Sequence, residues 1–81
     1  MVLNGDIFGA RRFYGHAADA GSGEAALALG KTYDPLFLAE NGVLGMQGDE
    51  AAAIAWYRRA LSLGNGEARA QLVRHGVAAG D

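Results

Sequence analysis

Trp56–Ala68 reads WYRRALSLGNGEA, and 43 residues earlier Phe13–Ala25 reads FYGHAADAGSGEA. With Gly5 set on Gly48 the agreement widens. Asp6 meets Asp49, Ala10 meets Ala53, Tyr14 meets Tyr57 and Ala17 meets Ala60. Gly21 meets Gly64; Gly23, Glu24 and Ala25 meet Gly66, Glu67 and Ala68; Leu29 meets Leu72; and Phe13 meets Trp56, aromatic for aromatic. Any two alanine-rich helices look alike, but that alone does not align glycines, tyrosines and acids at one offset. A period of about 20–50 residues is the mark of stacked repeats.

Each half reads as a helical hairpin. Asp49 suits a helix N-cap, with Glu50 in the favourable first turn. Ala53, Trp56, Tyr57, Ala60, Leu61 and Gly64 then fall at i, i+3, i+4, i+7, i+8 and i+11, one apolar stripe. Gly64 stands where a left-handed residue ends a helix, and Asn65 caps the next. Earlier, Asp6 caps, Ala10, Phe13, Tyr14 and Ala17 form the stripe, Gly21 stops the helix and Ser22 caps its successor. So short a turn sets neighbouring helices antiparallel. The helix expected over about Gly23 to Tyr33 carries Ala26, Leu29, Gly30 and Tyr33 on one face. Gly30, with no side chain, lets a neighbouring helix come close.

Between the halves stands DPLFLAENGVLGMQG, residues 34–48. Asp34 and Pro35 break the preceding helix. Pro35 also suits the first position of a short helical turn, Pro35 to Glu40, ended by Asn41 and Gly42. Leu36, Phe37 and Leu38 are too apolar for a free loop and are expected to pack over the seam.

Eighty-one residues make one small domain. A core this size is marginal without disulfides, metals or association. The chain has no cysteine, which excludes disulfides and thiolate metal sites, and its two histidines, His16 and His75, lie far apart. No cofactor is expected. The net charge of −2, with signs interspersed, is not the footprint of a nucleic-acid binder. No apolar run approaches the roughly 20 residues of a membrane span, and the opening MVLNGDIFGARR lacks the pattern of a secretory signal. The default expectation is a cytoplasmic protein that neither inserts into membranes nor binds nucleic acid.

Ala26, Leu29–Gly30, Tyr33, Gly42–Val43, Asp49, Ala53, Trp56–Tyr57, Ala60 and Gly64 together resemble a Sel-one-like repeat, a relative of the tetratricopeptide repeat. The resemblance covers one full repeat, 22–64, flanked by half repeats over 5–21 and 65–79, so most of residues 1–81. The connector is longer than the family's pattern, mostly through DPLFLAE. In the last helix Val73 replaces the glycine of Leu-Gly and Gly76 the tyrosine, which puts in doubt close packing of a further helix there. The implied fold is all-α: two antiparallel hairpins stacked as a short α-solenoid, with about four main helices plus a short turn in the connector. Relatives often act in bacterial regulation, envelope or host-interaction settings, a breadth that names no role for this chain.

The resemblance implies a non-enzymatic scaffold holding a peptide or partner protein on a concave helical face. Carried onto this sequence, that face offers Glu24, Leu27, Lys31 and Asp34, then Glu67, Ala70 and Arg74. Lys31 and Arg74 are equivalent under the offset, as are Glu24 and Glu67. The alternative is a self-associating module, or the C-terminal end of a longer array. Its surface is then the apolar face of the first helix, Ile7, Phe8 and Phe13. A homo-oligomer is the partner on that reading. Catalysis has little support. His16 has no serine or cysteine nucleophile beside it and makes a surface pair with Asp19. His75, near a helix end, reads as a favourable terminal charge or a solvated residue. Arg58–Arg59 reads as a solvated face.

Overall fold

Two turns of identical construction organise the chain. At the first, the Gly21 N–H donates to the Ala18 carbonyl and the Ser22 N–H to the Ala17 carbonyl, at 2.9 and 3.1 Å. At the second, Gly64 donates to Leu61 and Asn65 to Ala60, at 3.0 and 2.9 Å. Gly21 and Gly64 hold φ of +100° and +96°, a region that favours glycine. After each turn a polar side chain meets the first N–H groups of the next helix. Ser22 Oγ accepts from the Ala25 N–H at 3.0 Å, and Asn65 Oδ1 accepts from the Glu67 N–H at 3.0 Å. The first turn is the stop, cap and restart expected from the repeated sequence; at the second the cap position is Gly66, which brings no side-chain cap, and Asn65 stands one residue before it.

The structure, a computed structural model, describes residues 7–43 and 47–77. Those residues form five helices and no strand: α1 (Ile7–Asp19), α2 (Gly23–Tyr33), α3 (Pro35–Glu40), α4 (Glu50–Ser62) and α5 (Glu67–Arg74). The Asp6 cap, the Gly5 end of the first half repeat and the last residues of the third lie outside the described residues. The short turn expected in the connector is a helix of its own. No helix among the described residues is long and apolar enough to cross a membrane.

Helix α2 is central: α1 and α4 pack most extensively on it, α3 lies against its end, and α5 packs on α4. A helix with neighbours on several sides must be apolar nearly all round. Ala25, Ala26, Leu27, Leu29, Gly30 and Thr32 are accordingly all buried. The core continues through Ala53, Tyr57 and Ala60 of α4 and Ala68 and Leu72 of α5. Gly30 lies so near α4 that a Cβ there would stand 2.6 Å from Tyr57 Cε1.

Helix α1 departs from its expected stripe. It buries Ile7, Ala10 and Ala18, while Phe13 is 63% exposed and Phe8 67%. With α2 as its main partner, α1 needs only a narrow apolar seam, and Phe13 falls outside it. Arg11 ties the pair together: its guanidinium donates to the Thr32 carbonyl at 2.7 Å and lies 3.9 Å from the centre of the Tyr33 ring. Of Leu36, Phe37 and Leu38, Leu38 alone is buried; Phe37 is half-buried and Leu36 exposed. The chain returns to α2 at Gly48, where a Cβ would meet Pro35 at 2.8 Å, and the Asp49 N–H donates to the Tyr33 carbonyl at 2.7 Å. That return starts α4 beside the start of α3.

Candidate functional site

The sequence-based partner face divides between surface and interior. Glu24, Glu67, Ala70 and Arg74 are exposed, and Lys31 is half-buried. Leu27 is 5% exposed and Asp34 fully buried, so neither lies open to a partner. Leu27 is lost to the surface because α2 is enclosed by its neighbours. Arg74 bonds Glu40 at 2.8 Å, and the Lys31 ammonium lies 5.8 Å from the centre of the Phe37 ring. Glu24 and Glu67 do come together, at a crevice of about 440 Å³ over Gly23 and the 63–66 turn.

Ile7, of the alternative face, is buried. Phe8 and Phe13 are the two most exposed large apolar side chains among the described residues. Phe13 packs edge-on against Tyr14, ring centres 5.5 Å apart. Beside Phe13 opens a groove of about 430 Å³ between α1 and α2, lined by Phe13, Tyr14, Ala17, Ser22, Glu24, Ala25 and Ala28. Its lining is mostly small and apolar, with two aromatic side chains and one acid.

The third feature is interior, and the sequence did not signal it. Asp34 stands between α2 and α3. Its Oδ1 accepts from the Leu36 N–H at 2.8 Å and caps α3, and its Oδ2 accepts from the Tyr57 hydroxyl at 2.6 Å. His75, just after α5, places Nε2 3.0 Å from the same Oδ2 and Nδ1 2.6 Å from Glu50 Oε2. The Nε2 contact is an ion pair rather than an aligned hydrogen bond. The His75 ring is 1% exposed, which corrects its reading as a solvated terminal residue. Asp34 likewise serves the interior because its oxygens are taken by backbone and buried side chains.

The charges in this cluster support one another. Burial works to lower the His75 pKa, but the close contacts with Asp34 and Glu50 and the charge of both carboxylates outweigh it and raise it above 6.5. Burial works to raise Asp34, but the bond from the Tyr57 hydroxyl, the neighbouring His75 and the bond from the Leu36 N–H hold it below 3.8. Burial and then the Asp34 carboxylate push the Tyr57 hydroxyl up, so it stays a donor. His75 thus lies between two carboxylates, which favour its protonated form. The cluster has acid and base groups but no serine, threonine or cysteine nucleophile among its members. Its evident work is to tie α5 to the α2–α3 junction and the start of α4. Among the described residues no cluster is arranged to hold a metal ion. His16 is exposed on α1, as are Arg58 and Arg59 on α4.

Comparison with protein-family models, with curated proteins and with solved structures found no match for this chain.

Proposed function

We propose that the chain is a small protein-interaction module without an enzymatic activity of its own. It is read as two antiparallel helix pairs, α1–α2 and α4–α5, stacked in the Sel-one-like manner with α3 as an insertion. The twin turns at Gly21 and Gly64 and the close approach at Gly30 support that architecture.

One observation carries the functional reading: Phe8 and Phe13 are about two-thirds exposed, and Phe13 rims an open apolar groove. Large aromatics held in water beside a concavity are the raw material of binding hot spots. Phe8→Asp and Phe13→Asp change neither the core nor the caps, so they test the surface without unfolding the protein. A partner captured by the wild-type chain, purified and titrated by calorimetry, is expected to lose at least about tenfold in affinity to the Phe13→Asp chain. Undiminished affinity for both variants overturns this surface. Light scattering over a wide concentration range checks self-association, which either aspartate should abolish if the partner is a second copy.

A second reading uses the charged face. Glu24 and Glu67 flank one crevice, which suits a basic peptide. Binding that survives Phe13→Asp but is lost in a Glu24→Lys, Glu67→Lys double variant would select it.

A further inference from the structure

The groove beside Phe13 has a counterpart elsewhere in the molecule, and that counterpart is full. Shifted by the repeat offset, Tyr14, Ala17, Ser22 and Ala25 become Tyr57, Ala60, Asn65 and Ala68. Helix α2 lies over that second set. A Cβ at Gly30 would meet the Tyr57 ring at 2.6 Å, and one at Gly23 would meet Asn65 Cβ at 3.3 Å. Tyr57, Ala60 and Ala68 are consequently fully buried, whereas Tyr14 and Ala17 are only half-buried. The fold therefore holds two copies of one socket, one of them filled.

We propose that the open copy is a socket for a single helix of a partner protein, one that presents a face of small residues with a glycine set over the Tyr14 ring. This deepens the interaction-module reading and rests on it. The occupant's chemistry is read from α2. Gly23, Ala26 and Gly30 fall at helical spacing on one side, so the helix meets an aromatic ring with no side chain of its own in the way at Gly30. Close helix approach of this kind maximises contact between well-packed atoms.

A second copy of the chain does not fit. The counterpart of α2 is α5, and there Val73 stands in place of Gly30 and Arg69 in place of Ala26. If α5 of one molecule lay on Tyr14 of the next as α2 lies on Tyr57, the Val73 side chain would begin where no Cβ fits. Val73 is 62% exposed and available to obstruct this. Head-to-tail stacking of identical chains leads to open filaments, and Val73 blocks that route while the Tyr14 end remains open to a helix with a glycine.

The test uses the intact chain and a surrogate helix. A peptide with the sequence of residues 22–34, cross-linked to hold it helical because so short a helix is marginal in water, is titrated into isotope-labelled protein. Saturable NMR shifts are expected, centred on Tyr14, Ala17, Ala25 and Ala28. The same peptide with Gly30→Val should bind about tenfold more weakly or worse. So should the original peptide against Ala28→Arg protein, whose new side chain projects from the groove wall. Absence of saturable shifts overturns the socket, as does equal binding of the Gly30→Val peptide or shifts elsewhere. If the peptide fails while a natural partner remains sensitive to Phe13→Asp, the helix socket falls and the interaction module stands. If both fail, both fall.

Discussion

Gly30 of α2 and Tyr57 of α4 share one small volume: a Cβ on the glycine would stand 2.6 Å from one ring carbon and 2.7 Å from the next. The ring has nowhere to go. It is fully buried, and its hydroxyl is held at 2.6 Å by Asp34. The first prediction follows. Gly30→Ala should destabilise the protein by about 1–3 kcal/mol despite alanine's higher helix propensity, because overpacking outweighs propensity. Gly15→Ala is the control. Nothing lies within 4 Å of a Cβ at that helical position, so the change should be neutral or stabilise by up to about 1 kcal/mol. Urea unfolding of the two variants checks both signs.

Tyr57→Phe keeps the ring and removes one hydrogen bond. Asp34 then loses a donor in a place that water does not reach. The expected cost is about 1–3 kcal/mol, the range for leaving a buried polar group short of a partner. Thermal unfolding would show it. A cost near zero would mean that the His75 cation alone satisfies the carboxylate.

Stability should respond to pH in two places. His75 has a folded pKa raised above 6.5, so its contribution is complete below about pH 6.5 and is lost as pH rises through the folded value. Asp34 has a folded pKa below 3.8, so its contribution is complete above about pH 3.8 and is lost as pH falls through the folded value. Denaturation midpoints should therefore fall on both sides of a plateau between those limits. His75→Gln should remove the alkaline decline and leave the acid one. An unchanged alkaline limb in that variant would place its origin elsewhere.

The twin turns allow an internal comparison. Gly21→Ala and Gly64→Ala force alanine to φ near +100°, and each should cost about 1–2 kcal/mol. Gly66→Ala has no positive φ and no nearby atom, so it should cost much less. Similar losses at Gly21 and Gly64, measured by chemical denaturation, would establish the turns as energetic as well as geometric equivalents.

Much of the architecture was legible because it is written in local signals. Gly21, Ser22, Gly64 and Asn65 announce their turns by residue type, and Pro35 to Glu40 announces α3. Gly30 was identified as a point of close approach. What stayed hidden depends on distant residues. Asp34 read as a helix breaker and groove residue because nothing nearby shows that Tyr57 and His75 converge on it. His75 read as solvated because a polar residue near a helix end usually is. Phe13 satisfies the apolar period of α1, but period alone does not reveal how many neighbours a helix has. Part of the candidate surface suffered in the same way: Leu27 is enclosed by helices whose packing the sequence does not spell out.

Arrays of similar helices ordinarily come apart from one end, since each unit touches only the next. Here the Asp34–His75 contact spans three helices, running from the α2–α3 junction to the end of α5. Helix α5 cannot fray without pulling His75 away from a buried carboxylate in the middle of the chain. Hydrogen exchange in α5 should therefore follow that of α2 rather than the rapid rate of a loose terminus. Although built from repeated parts, the molecule should unfold in one step.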